Sequence, residues 1–277
     1  MLVTRFESVD GKSLRVARDG VGPALFLLHG YPENLQIWSR LVPLLKVRFE
    51  VFAFDWPGMG ESQEWRGGTT PLHQAAKIKR LMEHWNLSRV SLLGMDMGGQ
   101  PALVFAAQFP DLVESVTVMN SLLYGHLPTS WEITILRRFG WNRTILRHLP
   151  RIVFARAEMT FLSRGDRLTS AIRADLWNSF QRPQVRRFLI RLCAGYQGAL
   201  SELPEIYRAI RCPVLAVWGG KERHFSIEHA MELVAQVPTA ALKVLSDGQH
   251  WLPWSHPKEL SSLLCPIPDE RYHFGDD

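Results

Sequence analysis

The residues Gly94-Met95-Asp96-Met97-Gly98-Gly99 follow the apolar run Val90-Ser91-Leu92-Leu93 and open a helical pattern, Gln100-Pro101-Ala102-Leu103-Val104-Phe105-Ala106-Ala107. A strand, a glycine-framed sharp turn and a helix together form a nucleophile elbow. The glycines let helix and strand approach closely, and the apex side chain is pushed into the open beside the N–H groups of a helix start. The apex here is Asp96. A carboxylate attacks through oxygen and leaves an alkyl ester on the enzyme, so it suits an alkyl electrophile. An aspartate at such a junction is, taken alone, more often a helix N-cap, and the case for chemistry rests on three further groups.

The first is Ser246-Asp247-Gly248-Gln249-His250-Trp251, where His250 sits on a loop directly after the last apolar strand and can activate water. Among the ten histidines, His224, His229 and His273 lack a comparable context, and His256 before Pro257 reads as a helix-entry residue. The second is Gly219-Gly220-Lys221-Glu222, after the strand Val214–Trp218; Glu222 can accept the Nδ1–H of His250 and stabilise the imidazolium. The third is His29-Gly30-Tyr31-Pro32. There Pro32 restricts Tyr31 to extended geometry, so that the Tyr31 and Met97 N–H groups can face one oxyanion. Two such donors are worth roughly 3–4 kcal/mol to a transition state. The order Asp96, Glu222, His250 is nucleophile, acid, base.

The elements that must position these groups alternate. Residues 2–8 and 13–18 read as strands around the turn Asp10-Gly11-Lys12. The all-apolar Ala24–Leu28 fits a strand buried on both faces of a parallel sheet. Val51–Phe54, Val90–Leu93, Val116–Met119, Val214–Trp218 and Ala241–Leu245 continue the series, with helices over Ile37–Leu45, about 70–86 and after the elbow. This alternation predicts an α/β class with a mostly parallel, doubly wound sheet. From 122 to 205 it stops, replaced by helical patterns rich in Arg, Trp and Phe. We therefore expect a core of 1–121 and 206–277, with 122–205 inserted after the sixth strand as a helical cap over the strand ends. The tail beyond Cys265 is expected to be irregular.

Composition sets the broad class. A 277-residue chain with 46% hydrophobic and 21% charged residues can bury a sizeable core. Its net charge of +5 raises the question of nucleic acid, but the arginines of the insertion are interleaved with apolar residues at helical spacing and no recognition motif accompanies them. Three widely spaced cysteines give neither a metal site nor a disulfide framework. The N-terminus lacks a long apolar run and no segment approaches a membrane span. The expectation is a cytoplasmic protein acting on a small molecule and water, with no metal, cofactor, nucleic acid or membrane.

Together, His29-Gly30-Tyr31-Pro32-Glu33-Asn34 with Trp38, Asp55-Trp56-Pro57-Gly58-Met59-Gly60-Glu61-Ser62, the Asp96 elbow and Gly248-Gln249-His250-Trp251 make the chain resemble an α/β-hydrolase of the aspartate-nucleophile branch, over roughly residues 10–265. That branch holds epoxide hydrolases and haloalkane and haloacetate dehalogenases. The resemblance implies the α/β-hydrolase fold and a two-step hydrolysis. Haloalkane dehalogenases commonly carry halide donors where Met97 and Tyr31 stand here; Asn120 resembles a residue of part of that group but could equally cap a turn. Haloacetate dehalogenases grip a carboxylate with arginines where Met97 and Gln100 stand. Epoxide hydrolases need a proton donor, usually a lid tyrosine. Tyr196 occupies the matching position and Tyr124 is a looser second candidate, although Met97 departs from the Trp usual there. The expected reaction opens an epoxide to a vicinal diol. Its rivals are hydrolytic dehalogenation with a lid Trp such as Trp141 or Trp177 as halide donor, and a catalytically silent scaffold that binds a small molecule. Substrate identity, stereochemistry and oligomeric state depend on how the insertion packs.

Overall fold

A computed structural model describes residues 1–264 except Phe139, and omits the side chains of Arg138 and Trp141. Eight strands form one sheet: β1 (Arg5–Val9), β2 (Lys12–Asp19), β3 (Ala24–Leu28), β4 (Glu50–Phe54), β5 (Val90–Met95), β6 (Val113–Met119), β7 (Val214–Gly219) and β8 (Ala240–Leu245). Their spatial order is β1-β2-β4-β3-β5-β6-β7-β8. The β1–β2 hairpin is antiparallel and β2 pairs antiparallel with β4; all other pairs are parallel. All five residues of β3 are buried, as its unbroken apolar run requires.

The helices are α1 (Val42–Leu45), α2 (Pro71–His84), α3 (Gly99–Gln108), α4 (Trp131–Arg138), α5 (Trp141–His148), α6 (Pro150–Phe161), α7 (Ser170–Phe180), α8 (Pro183–Ala199), α9 (Leu203–Tyr207), α10 (Glu228–Gln236), α11 (Leu252–Ser255) and α12 (Pro257–Leu264). Much of the helical pattern expected over Ile37–Leu45 is a 3-10 helix, Leu35–Arg40, capped by the Asn34 side chain. Thr70 caps α2 and Thr169 caps α7 in the same way. The stretch between β6 and β7 holds α4 to α9, and α9 returns to pack on α3. The expected irregular tail after Cys265 lies outside the described residues.

A charge cluster centred on the buried Arg15, with Glu61 at its exposed edge, joins the insertion to the sheet. Arg15 on β2 donates to both carboxylate oxygens of Asp175 on α7 (3.0 and 2.7 Å), while Asn34 Nδ2 donates to Asp175 Oδ1 and Ser179 Oγ. Asp55 and Glu61 lie 3.7 and 3.3 Å from the same guanidinium. A desolvated arginine surrounded by fixed carboxylates holds a defined geometry, because losing a partner would leave charge buried without compensation.

Candidate active site

The turn from β5 into α3 places Asp96 at φ +52°, the sparsely populated left-handed region for a side-chain-bearing residue. The turn is tight: Gly98 lies so near the Leu28 carbonyl that any Cβ there would clash. Asp96 is no N-cap of its own helix. Instead its Oδ1 accepts the N–H of Tyr31, 65 residues away, at 2.9 Å. The Met97 N–H also acts on this carboxyl group. The two backbone donors expected for an oxyanion thus converge on the carboxylate itself, and Oδ2 is left facing His250 Nε2 at 3.6 Å.

His250 is fully buried, and its Nε2 has no hydrogen-bond partner among the described residues. On the other side of the ring, Nδ1 lies 2.9 Å from Glu222 Oε2; a carboxylate only accepts, so Nδ1 carries the proton. Glu222 Oε1 accepts the N–H groups of His224 (2.7 Å) and Phe225 (3.4 Å), which fixes the carboxylate plane. Burial pushes the Asp96 carboxyl up to about 6, against the opposing pull of His250. Burial would depress the His250 imidazole, but the carboxylates of Glu222, Asp96 and Glu33 outweigh it and lift it to about 9. Burial likewise opposes ionisation of Glu222, yet His250 and the backbone donors hold its carboxyl below the ordinary value.

Not every expected residue joins this group. Tyr196 does: it is buried in the chamber beside Asp96, with its hydroxyl donating to Met97 O at 2.6 Å. Tyr124 does not. Its hydroxyl donates to Gln236 Oε1 on α10 (2.8 Å) and its ring stacks on His229, so it ties the start of the insertion to the core. Asn120 also faces away from the chamber. Its Nδ2 donates to the carbonyls of Gln249 (2.9 Å) and His250 (3.0 Å), and its Oδ1 accepts the Gly219 N–H (3.0 Å). One amide therefore clamps the His250 loop to the end of β7. Trp177 packs on Phe154 and Phe180, outside both chambers described below, and the Trp141 side chain lies outside the described residues.

Several residues of the site have no role that the sequence motifs assign. Glu33, fully buried, accepts Gly30 N–H (2.8 Å) and Trp251 Nε1–H (2.5 Å) and so joins the Tyr31 loop to the His250 loop; burial lifts its carboxyl to about 8. Its place behind His29-Gly30-Tyr31-Pro32 is the one signal of this in the sequence. His224, which lacks a telling sequence context, packs at 5.8 Å from the His250 ring and touches Ser130 Oγ and Thr160 Oγ1. Burial depresses its imidazole to about 4. The end of α6 buttresses His250: the Phe161 ring lies 4.1 Å from that of His250, Phe161 O accepts Trp251 N–H, and the Gln249 side-chain amide faces the Thr160 and Leu162 carbonyls.

Asp96, Met97, Cys193 and Tyr196 border a small chamber of about 40 Å³. A second chamber of about 250 Å³ adjoins it and shares Tyr31, Ile133 and Leu136. Its walls are mainly apolar side chains of α4, α5 and α6, including Ile145 and Val153, and the Glu132–Arg156 ion pair in them is closed at 2.7 Å. Arg137 also lines the smaller chamber. Among the described residues no His/Cys/Asp/Glu group could hold a metal, and no helix is long and apolar enough to cross a membrane.

Comparison with known proteins places the fold. A family model described as alpha/beta hydrolase fold matches residues 23–257. The hydrolase YugF of Bacillus subtilis, described as uncharacterized, is 26% identical over 247 residues, covering 87% of this chain and 88% of its own. A 2-hydroxy-6-oxo-6-phenylhexa-2,4-dienoate hydrolase of Burkholderia cepacia is 24% identical, covering 88% and 87%. Among solved structures, haloalkane dehalogenase DbeA from Bradyrhizobium elkani superposes with a TM-score of 0.80 at 19% identity, covering 95% of this chain and 96% of its own. Epoxide hydrolase CorEH superposes at 0.75 and 19%, covering 95% and 97%. These structural likenesses concern the fold, which the family match and the eight-stranded, mostly parallel sheet share: the chain belongs to the α/β-hydrolase family.

Proposed function

We propose that this hydrolase acts through an aspartyl-ester intermediate on a small, largely apolar alkyl electrophile, in the first instance an epoxide opened to a vicinal diol. The observation that carries the reading is the division of labour on Asp96: Oδ1 is held by the Tyr31 N–H, while Oδ2 is free toward the chamber and His250. A serine hydrolase would need its apex oxygen outside the oxyanion hole; a nucleophilic carboxylate has one oxygen to spend in it. Asp96 Oδ2 attacks carbon, and His250, oriented by Glu222, then takes a proton from water that attacks the ester carbonyl. The same Tyr31 and Met97 N–H groups stabilise the oxyanion of that second step.

An epoxide is favoured over a halide because phenols border the chamber: burial holds the Tyr31 and Tyr196 hydroxyls well above the usual tyrosine range, so they stay protonated, which suits an oxygen leaving group that must take a proton. The adjoining apolar chamber suits an alkyl or aryl substituent. The test is the intact mass of His250→Gln after incubation with epoxides and haloalkanes. An adduct of whole epoxide mass supports this reading; an adduct lacking halogen moves the assignment to dehalogenation. No adduct on a well-folded variant, with wild type inactive on the same panel, overturns it.

A further inference from the structure

The buried phenols of Tyr31 and Tyr207 both lack a bonding partner among the described residues, and of the two Tyr31 borders the chambers. Tyr31 is 6% exposed, yet its hydroxyl has no hydrogen-bond partner among the described residues. Leaving a buried hydroxyl unpaired is unfavourable, and Phe would fill the same space without that cost. The ring is set edge-on against Phe180 (5.9 Å) and borders both chambers, with Asp96, Glu33 and Cys193 as its charged or titratable surroundings. The other phenol of the chamber is committed, since the single proton of Tyr196 is given to Met97 O at 2.6 Å.

We infer that the Tyr31 hydroxyl, rather than that of Tyr196 or Tyr124, donates to the leaving oxygen of the substrate, so that one residue serves both half-reactions: its N–H at the carboxylate and its side chain at the departing atom. This rests on the aspartyl-ester reading. As Asp96 Oδ2 bonds to the ring carbon, the C–O pair goes to the ring oxygen, which takes the Tyr31 proton and leaves a phenolate. In the second step His250 takes one proton from water and passes it to the alkoxide released from the ester. The other water proton, left on the regenerated Asp96 carboxyl, returns to Tyr31. The sum is epoxide plus water giving diol. Tyr196 becomes a positioning residue that holds the Met97 peptide of the elbow.

The test compares Tyr31→Phe and Tyr196→Phe, each also combined with His250→Gln, using 1,2-epoxyhexane. Tyr31→Phe should slow ester formation by about 100-fold or more, while its Tm stays level or rises because an unpaired hydroxyl has been removed. Tyr196→Phe should lower Tm through loss of the Met97 bond. Ester formation in Tyr31→Phe within about threefold of the parent, or a fall in Tm that accounts for the loss, overturns the assignment. Should the parent His250→Gln form no ester, the aspartyl-ester reading fails instead, and binding of hexanamide, an uncharged acceptor, decides the Tyr31 role. Binding about fivefold weaker in Tyr31→Phe sustains the hydroxyl as a ligand donor, and equal binding overturns it.

Discussion

Asp96 Oδ2 and His250 Nε2 lie 3.6 Å apart, too far for a good hydrogen bond and near enough that a water held by Nε2 would meet an ester carbonyl at Asp96. In the proposed aspartyl-ester mechanism, this spacing keeps the nucleophile free in the first step and supplies the base in the second. The two groups would also tune each other, because esterification would remove the Asp96 charge that helps to hold the imidazole protonated.

The pH dependence of the two steps should therefore differ. Asp96 must be ionised to attack, and its carboxyl is lifted to about 6, so ester formation by the wild type should fall as pH drops through that value. Ester hydrolysis needs neutral His250 and should rise with pH. Its midpoint should lie below the value of about 9 for the free enzyme, because the ester carries no charge at Asp96. Rapid-quench measurement of each step across pH 5–10 checks both directions. A shared midpoint for the two steps would contradict the assignment.

Asn120→Ala should impair catalysis without touching substrate. The change strips three hydrogen bonds from a fully buried clamp between β7 and the His250 loop. We expect about 3 kcal/mol of lost stability and a fall in kcat with KM little changed, measured by denaturant unfolding and steady-state kinetics.

Asp175→Ala should loosen the insertion. Arg15 keeps Asp55 and Glu61 nearby, so the cost should sit near that of one charged hydrogen-bonded pair, about 2 kcal/mol. In a chain of this size that corresponds to a Tm lower by about 4 °C. Calorimetry would show it, and an unchanged Tm would mean that the cluster contributes nothing net.

Ile145→Trp should narrow the larger chamber from α5. Each buried methylene is worth about 0.8 kcal/mol, or roughly fourfold in binding, so KM for long-chain epoxides should rise many-fold while short epoxides are turned over as before. Equal loss across a chain-length series would show that substrate does not occupy that chamber.

Much of this site is legible in the amino-acid sequence because its motifs are local. A glycine-framed turn after an apolar strand dictates where Asp96 points, and a loop directly after β7 or β8 must emerge at the same sheet edge; Glu222 and His250 meet for that reason. The all-apolar β3 and the break in alternation after β6 likewise follow from side-chain type and period. What the tertiary structure decided are side-chain destinations fixed by elements distant in the chain. Tyr124 bonds Gln236, 112 residues on, because α10 packs beside it; Asn120 spans 130 residues to the His250 carbonyl; Glu33 reaches Trp251 across 218. A backbone motif is set by its own few residues, whereas a buried donor takes whichever acceptor packing brings within 3 Å. For the Tyr31 hydroxyl packing brings none, and residue spacing carries no sign of that.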